Sequence, residues 1–353
     1  MQLTLEGIRK RVGADLWLHE MTLALEPNAV TVLLGATQAG KTSLMRIMAG
    51  LDQPSRGKVR VDAADVTGVP VRERNVSMVY QQFINYPNFS VFDNIASPLR
   101  VAGTSGADTQ ARVGRIAELL KLTPLLDRKP AELSGGQQQR CALARALVKD
   151  AELVLLDEPL ANLDYKLRES LRDELPRLFA DRGCTVVYAT TEPAEALMLG
   201  GHVATMHAGR ITQFGPAAAV YRDPVDLTSA RVFSDPPINV AAARKRGELI
   251  VLAEGVQWNA PGALRSLPDG EITVALRPHH VRPGPQAGVP VRGRVLISEI
   301  SGSESVVHFA LADGAWVSLV NGIHSHPVGQ DAAFALDVAQ CLYFDAAGRR
   351  LAA

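Results

Sequence analysis

Cysteine is scarce in this chain: Cys141, Cys184 and Cys341 are its only three. They lie far apart, are odd in number and lack the paired spacing of a metal site. That argues against a disulfide framework and fits reduced thiols in a cytosolic protein, with no chemistry assigned to them. Charge of one sign is not in excess either, since 37 Lys and Arg stand against 37 Asp and Glu. A nucleic-acid binder usually carries a basic surplus, so nucleic acid is disfavoured as a partner. No run of about 18 apolar residues occurs, so no membrane-crossing helix is expected. The opening MQLTLEGIRKR also lacks the apolar core of a signal peptide. Any membrane role is expected to come through partners.

What is present centres on Val30 to Met45, VTVLLGATQAGKTSLM, which reads as a buried strand, a glycine loop and a helix start in immediate succession. The run Gly35-Ala36-Thr37-Gln38-Ala39-Gly40-Lys41-Thr42-Ser43 meets the pattern G-x-x-x-x-G-K-[ST]. The glycines allow turn angles that a Cβ forbids and bring backbone N–H groups to phosphate oxygens. The following helix aims its free N–H groups at the same anion. Lys41 is suited to the β- and γ-phosphates of ATP and the Thr42 hydroxyl to Mg²⁺.

At 353 residues the chain has room for two domains, at about 100 to 200 residues each. Alternating apolar residues predict strands at Leu3–Lys10 and Leu16–Leu25 before the cradle. Beyond it, a short strand pair is predicted over Gly57–Asp65 and a buried segment over Asn75–Tyr80. Strands are predicted at Glu152–Leu156 and Cys184–Tyr188, and helices at Ala111–Leu122, Gln138–Val148 and Glu192–Leu199. A hairpin is expected around Ala208-Gly209. This alternation predicts an α/β fold with a mostly parallel sheet. The composition shifts at Asp235-Pro236-Pro237, read as a linker, and short strand-like runs between turns then predict a small all-β, barrel-like domain. The expected division is 1–236 and 237–353.

Three further stretches carry chemistry. Gln81 leaves the Asn75–Tyr80 segment where its amide can reach Mg²⁺ or an attacking water. Ser134-Gly135-Gly136-Gln137 opens a helix with a hydroxyl and bare backbone, which reads either as a second anion cradle or as a simple helix cap. Asp157-Glu158 ends an apolar strand, placing Asp157 to hold Mg²⁺ and Glu158 to orient or deprotonate the water that attacks the γ-phosphate.

With Gly35–Thr42, Leu133–Gln137 and Leu153–Glu158 in that order, the chain resembles the ATPase subunits of ATP-binding cassette transporters over essentially its full length. Leu276-Arg277-Pro278 and Ser301-Gly302-Ser303-Glu304 look like the OB-like regulatory domain of the carbohydrate-importer branch, which includes the maltose importer ATPase. Gln81–Pro87 and Tyr188–Pro193 look like its glycerol-importer ATPases. The resemblance implies a nucleotide-binding domain with a helical subdomain over about 83–148, whose part through about Leu126 receives a permease. It implies ATP with Mg²⁺ as cofactors, a second ATPase subunit in a homo- or heterodimer and two transmembrane permease subunits. A solute-binding protein is implied indirectly. The place would be peripheral, at the cytoplasmic face of the inner membrane.

Carried over, Lys41 and Thr42 bind ATP from one side, while Ser134, Gly135, Gly136 and Gln137 close on ATP held by the partner subunit. Gln81 matches the glutamine that senses Mg²⁺, Asp157 the metal carboxylate and Glu158 the catalytic base. Asp164, in Ala161-Asn162-Leu163-Asp164, matches the aspartate that links the two sites. Two positions depart. Val12 stands where the family has an aromatic that stacks on adenine, so stacking is expected to weaken unless Trp17 moves in. Thr191 stands where a histidine contacts the γ-phosphate, and threonine is shorter and cannot carry positive charge. A heterodimer with one slow site follows as the expectation.

The function expected is the ATPase of an importer for glycerol or a related polyol or sugar. A homodimeric sugar or glycerol-phosphate importer is the alternative. A soluble cassette ATPase is a rival without its usual second cassette or basic arms, and a nucleotide-switched regulatory binding protein is disfavoured by Glu158. A small-molecule P-loop kinase leaves Leu133–Gln137 unexplained.

Overall fold

The computed structural model describes residues 1–353 except Asn162, Glu254, Pro285, Gln286, Asp313 and Ala353, and gives Asp181 and Arg182 by backbone alone. Two strands, β1 (Leu3–Val12) and β2 (Asp15–Ala24), precede β3 (Val30–Leu34), whose end feeds the glycine loop and then α1 (Lys41–Ala49). The hairpin β4 (Arg56–Val61) and β5 (Ala64–Asp65) leads to β6 (Val76–Val79). Three helices follow, α2 (Val91–Val101), α3 (Gly106–Leu119) and α4 (Gly135–Val148). Then come β7 (Leu153–Asp157), α5 (Tyr165–Arg182), β8 (Thr185–Thr190), α6 (Pro193–Leu199), β9 (His202–His207) and β10 (Arg210–Pro216).

These strands make two sheets. An antiparallel one has the order β2-β1-β4-β5, and a six-stranded one has the order β10-β9-β3-β8-β7-β6. In the second, β9, β3, β8, β7 and β6 run parallel and β10 pairs antiparallel with β9. Strands β7 and β8 are buried throughout, as expected of parallel strands covered on both faces. Helix α1 lies between the sheets, and Leu44, Met45, Ile47 and Met48 join Leu3, Leu5, Leu33, Leu155 and Val187 in one apolar core. Because the parallel strands share a direction, the loops after β3, β6, β7 and β8 leave from one edge of the sheet. Ligands of open α/β sheets bind outside that edge.

The compact units divide between Val220 and Tyr221, ahead of the Asp235-Pro236-Pro237 segment. That division falls within α7 (Ala217–Arg222), and α8 (Leu227–Val232) lies in the second unit. The physical reason is Arg277, buried after the LRP motif. It donates to the carbonyls of Phe233 (2.5 Å) and Tyr221 (2.6 Å) and stacks its guanidinium over the Tyr221 ring. Ala230 and Ile238 pack with Ala275, Leu342 and Phe344. A boundary read from prolines cannot register such anchoring.

The second unit continues with β11 (Asn239–Arg246), β12 (Leu249–Ala253), β13 (Val256–Asn259), β14 (Gly270–Leu276), β15 (Val281–Pro283) and β16 (Val289–Ile300). It ends with β17 (Glu304–Leu311), β18 (Gly314–Asn321), β19 (Asp331–Leu336), β20 (Leu342–Phe344) and β21 (Arg350–Leu351). They form sheets of order β13-β12-β11-β14-β20-β21 and β15-β19-β16-β17-β18, a barrel-like all-β arrangement. One core fills it: Phe309 stacks on Phe334 at 3.8 Å, and Trp258 Nε1 donates to the Tyr343 hydroxyl at 2.9 Å. Asn239 fastens β11 to β18 by bonding both the carbonyl and the N–H of Val317.

Strand β16 crosses this core closely at Gly293, where a Cβ would collide with the Ala310 carbonyl oxygen and sit 2.7 Å from Phe309 Cδ2. Neither backbone nor stacked ring can yield freely. Gly293→Ala is therefore expected to destabilise the second unit by about 1–3 kcal/mol, seen as earlier thermal unfolding by Trp258 and Trp316 fluorescence. An unchanged midpoint would mean that the strands slide apart at little cost.

Among the described residues no helix is long and apolar enough to cross a membrane. Burial pushes the Cys141 thiol up to about 11 and Cys341 up to about 12, so neither supplies a thiolate near neutrality.

Candidate nucleotide site

The glycine loop holds its shape for local reasons. Gly35 passes so close to β9 that a Cβ would collide with the Met206 carbonyl oxygen. Gly40 caps α1 with φ +101°, a left-handed angle that favours glycine, and no side chain caps this helix. The first turn of α1 contains no acidic residue of its own to offset the positive end of the helix that faces the loop.

Lys41 reaches back across the loop. Its Nζ, 4% exposed as a side chain, donates to the carbonyls of Gly35 (2.7 Å) and Ala36 (3.1 Å) and pairs with Glu158 Oε1 at 3.3 Å. Gln81 Nε2 donates to the other oxygen of that carboxylate at 2.9 Å. One cavity of about 750 Å³ is lined by Thr37, Gln38, Gly40, Lys41, Thr42 and Ser43 from the loop and helix, with Gln81 and Glu158. Glu158 lies 77 positions from Gln81 and 117 from Lys41 in the sequence, and the three meet here because β3, β7 and β6 end at one edge. Glu158 takes φ +47° at the turn out of β7, and its N–H donates to the Ala189 carbonyl at 3.0 Å. A left-handed residue with a Cβ costs roughly 1–2 kcal/mol, which the packed sheet end sustains.

Next to this cluster the Thr42 hydroxyl donates to Asp157 Oδ2 at 2.7 Å. Asp157 is only 1% exposed, and its other oxygen, Oδ1, is buried without a hydrogen-bond partner. Burial, offset in part by the Thr42 bond, raises its pKa above the ordinary carboxylate value. An orphaned carboxylate oxygen beside a hydroxyl is a hard-oxygen donor set, so these residues fit Mg²⁺. Among the described residues no group of three His, Cys, Asp or Glu side chains forms a self-sufficient metal cage. A magnesium ion that takes the rest of its shell from phosphate and water needs none.

The remaining site residues stand elsewhere. Ser134 caps α4 in a reciprocal box: its N–H donates to Gln137 Oε1 (2.9 Å) and the Gln137 N–H to Ser134 Oγ (3.4 Å). The cap reading thus holds in the single chain. Asp164 caps α5 through the Leu167 N–H at 3.0 Å, and Asn162 of the same stretch lies outside the described residues. Thr191 is exposed, whereas its neighbour Thr190 is tied down, donating to Glu195 Oε2 at 2.6 Å and accepting from the Glu192 N–H at 3.0 Å. None of Ser134, Gly135, Gly136, Gln137, Asp164 and Thr191 lines the cavity. The stretch after Gln81 is fastened to α4. Asn85 donates to the Gln138 carbonyl at 2.8 Å, and Arg145 bonds the Ile84 carbonyl and lies over the Tyr86 ring. Helix α4 is fastened in turn to the segment after Glu158 by Gln139, which donates to the Pro159 carbonyl at 2.8 Å.

Val12, expected from the resemblance to stand at the base-stacking position, lies apart from the cavity-lining residues. It sits at the exposed end of β1 and does not line the cavity, whose far wall is Leu16, Trp17 and His19 with Ala208 and Gly209 of the β9–β10 turn. Of these the sequence had singled out only Trp17. The others carry no local signal beyond the glycine of a hairpin.

Residues 18–161 match the protein family described as "ABC transporter", and residues 274–344 match the one described as "TOBE domain". The chain is 34% identical to the sn-glycerol-3-phosphate import ATP-binding protein UgpC of Chromohalobacter salexigens, over 99% of this chain and 95% of that protein. It is 36% identical to the trehalose/maltose import ATP-binding protein MalK of Thermococcus litoralis, over 89% of each. A solved dimeric ATP-binding cassette in a post-hydrolysis state, bound to ADP and Pi, superposes with a TM-score of 0.56 at 26% identity. That match covers 61% of this chain and 98% of the other. With these matches, the chain belongs to the ATP-binding cassette transporter family as one of its ATPase subunits.

Proposed function

We propose that this subunit is the motor of an importer for a polyol, its phosphate or a sugar. It works at the cytoplasmic face of the inner membrane with two permease subunits, a second ATPase subunit and, indirectly, a solute-binding protein. The observation that carries the reading is the convergence of Lys41, Gln81 and Glu158 on one cavity at the start of α1, with the Thr42–Asp157 pair beside it. The cargo class is supported by the relatives' names, which cite glycerol phosphate, trehalose or maltose, and sulfoquinovosyl glycerol. All are small polyhydroxylated molecules.

ATP binds with its phosphates over the loop N–H groups and the end of α1. Lys41 exchanges Glu158 for the terminal phosphates, which frees the carboxylate to accept a proton from the attacking water, oriented by Gln81. Thr42 and Asp157 would hold Mg²⁺, which neutralises charge on the phosphate oxygens. Ser134 to Gln137 and Asp164, away from the chain's own cradle, serve the site on the partner, so binding closes the pair and release reopens it. Uptake of labelled glycerol, glycerol 3-phosphate and maltose by cells with and without this chain tests the cargo. No change for any polyhydroxylated solute would overturn the importer.

The pair is asymmetric in this reading, because Thr191 cannot supply the imidazole that its position calls for. The site on Lys41 hydrolyses slowly and mainly holds the dimer, while the partner's site turns over. Single-turnover hydrolysis measured site by site is expected to differ, and Thr191→His to raise the slow rate. Equal rates, or no gain from the histidine, would sink the asymmetric version.

A further inference from the structure

Strand β2 does not pair evenly with β1. Leu16 lies opposite Arg11 and Leu18 opposite Lys10, so one step along β1 answers two along β2, and Trp17 is the residue in excess. Such a bulge bends the strand and re-aims a side chain, and bulges gather next to functional sites.

Four contacts hold this one against the cradle. Leu18 is buried, its Cδ2 within 2.8 Å of where a Cβ on Gly40 would stand. The His19 N–H donates to the Gly209 carbonyl (2.9 Å), and the Gly209 N–H to the Ala39 carbonyl (3.0 Å). Gly209, at φ +72°, passes so near that a Cβ would collide with the Trp17 carbonyl oxygen. The β9–β10 turn therefore clamps the bulge to the loop that carries the phosphates. Trp17 ends up on the wall of the cavity that Lys41 and Thr42 also line, with 50% of its surface exposed. Half of this indole's surface is thus open beside an anion cradle, and an aromatic ring offers a flat apolar surface on which another ring can stack.

We infer that Trp17, and not the residue at position 12, is the surface on which the nucleobase stacks. The inference rests on the cradle holding the nucleotide's phosphates. Its consequence is that Val12 is no loss: the base contact has moved to the neighbouring strand of the same hairpin. The asymmetry proposed above then rests on Thr191 alone.

The chain supplies its own readout. Of three tryptophans, Trp258 and Trp316 are buried in the all-β unit, at 7% and 0% exposure, so a fluorescence change on nucleotide binding reports Trp17. The experiment is calorimetric titration of the purified full chain with ADP, and separately with tripolyphosphate, which has no base. Trp17→Ala is expected to weaken ADP by about tenfold, the size of one base–aromatic stack, and to leave tripolyphosphate unchanged. Trp17→Phe should keep ADP affinity while losing the fluorescence change, and Val12→Ala should bind as the original chain does. Equal ADP affinity in Trp17→Ala, a loss in Val12→Ala instead, or a Trp17→Ala defect shared by tripolyphosphate would each overturn the stack. None of these readouts involves transport, so they fail independently of the importer reading.

Discussion

In single turnover at the site on Lys41, Glu158→Gln is expected to lower the rate of ATP hydrolysis by about 10²–10⁴-fold, the usual worth of a positioned general base, while ATP binding persists. The geometry separates the two effects. In the resting chain Glu158 holds Lys41 at 3.3 Å and accepts from Gln81 at 2.9 Å. An amide in its place can still accept from Gln81 through its oxygen, so the site keeps its shape. It cannot pair with the ammonium, so Lys41 is released towards phosphate without breaking an ion pair first. Nor can it take a proton from water. The variant should therefore retain ATP on a filter or in calorimetry, at least as tightly as the original chain, while single-turnover phosphate release from this site nearly stops. A single-turnover rate at this site within about threefold of the original would remove Glu158 from the chemistry.

Lys41→Ala is expected to weaken ATP binding by about a hundredfold, roughly 2.7 kcal/mol. The Lys41 ammonium is almost wholly enclosed, and its partners are the Gly35 and Ala36 carbonyls and one carboxylate. Removing it takes a charge-assisted bond from the bound phosphates. It also leaves two carbonyls and Glu158 to repel the same anion. The loss should be larger for ATP than for AMP, whose single phosphate does not extend as far over the loop. Because Lys41 and Glu158 are paired, the double variant should not show the sum of the two single effects on binding. Additive effects would mean that the ion pair does not govern nucleotide entry, and affinity within about threefold would exclude Lys41 from phosphate binding.

The phosphate cradle could be read from consecutive residues, because its geometry is local. A strand end, two glycines with special backbone angles and a helix start lie within Val30 to Met45 and need no distant partner to be recognised. The same holds for the hairpin at Ala208-Gly209, the cap at Ser134 and the run of strands in the second unit, which local turn chemistry punctuates. Strands such as β11, NVAAARKR, escaped because their sequence alternates weakly and is rich in charge. Pairing with β12 and β14, not intrinsic preference, makes them strands.

Tertiary structure alone decided the rest. Sequence order puts Gln81 and Glu158 far from Lys41, and only the parallel β3, β8, β7 and β6 bring the three side chains within bonding distance. The anchoring of residues 221–238 by Arg277 moved the division of the chain away from its prolines. The wall opposite the cradle was hidden for the same reason. Whether Val12 or Trp17 lines the cavity depends on a one-residue slip in the pairing of β2 with β1, and on a glycine turn some 190 residues on that clamps it. A strand's own sequence states which residues alternate, but register is a property of the pair, so it determines which of them reaches the site.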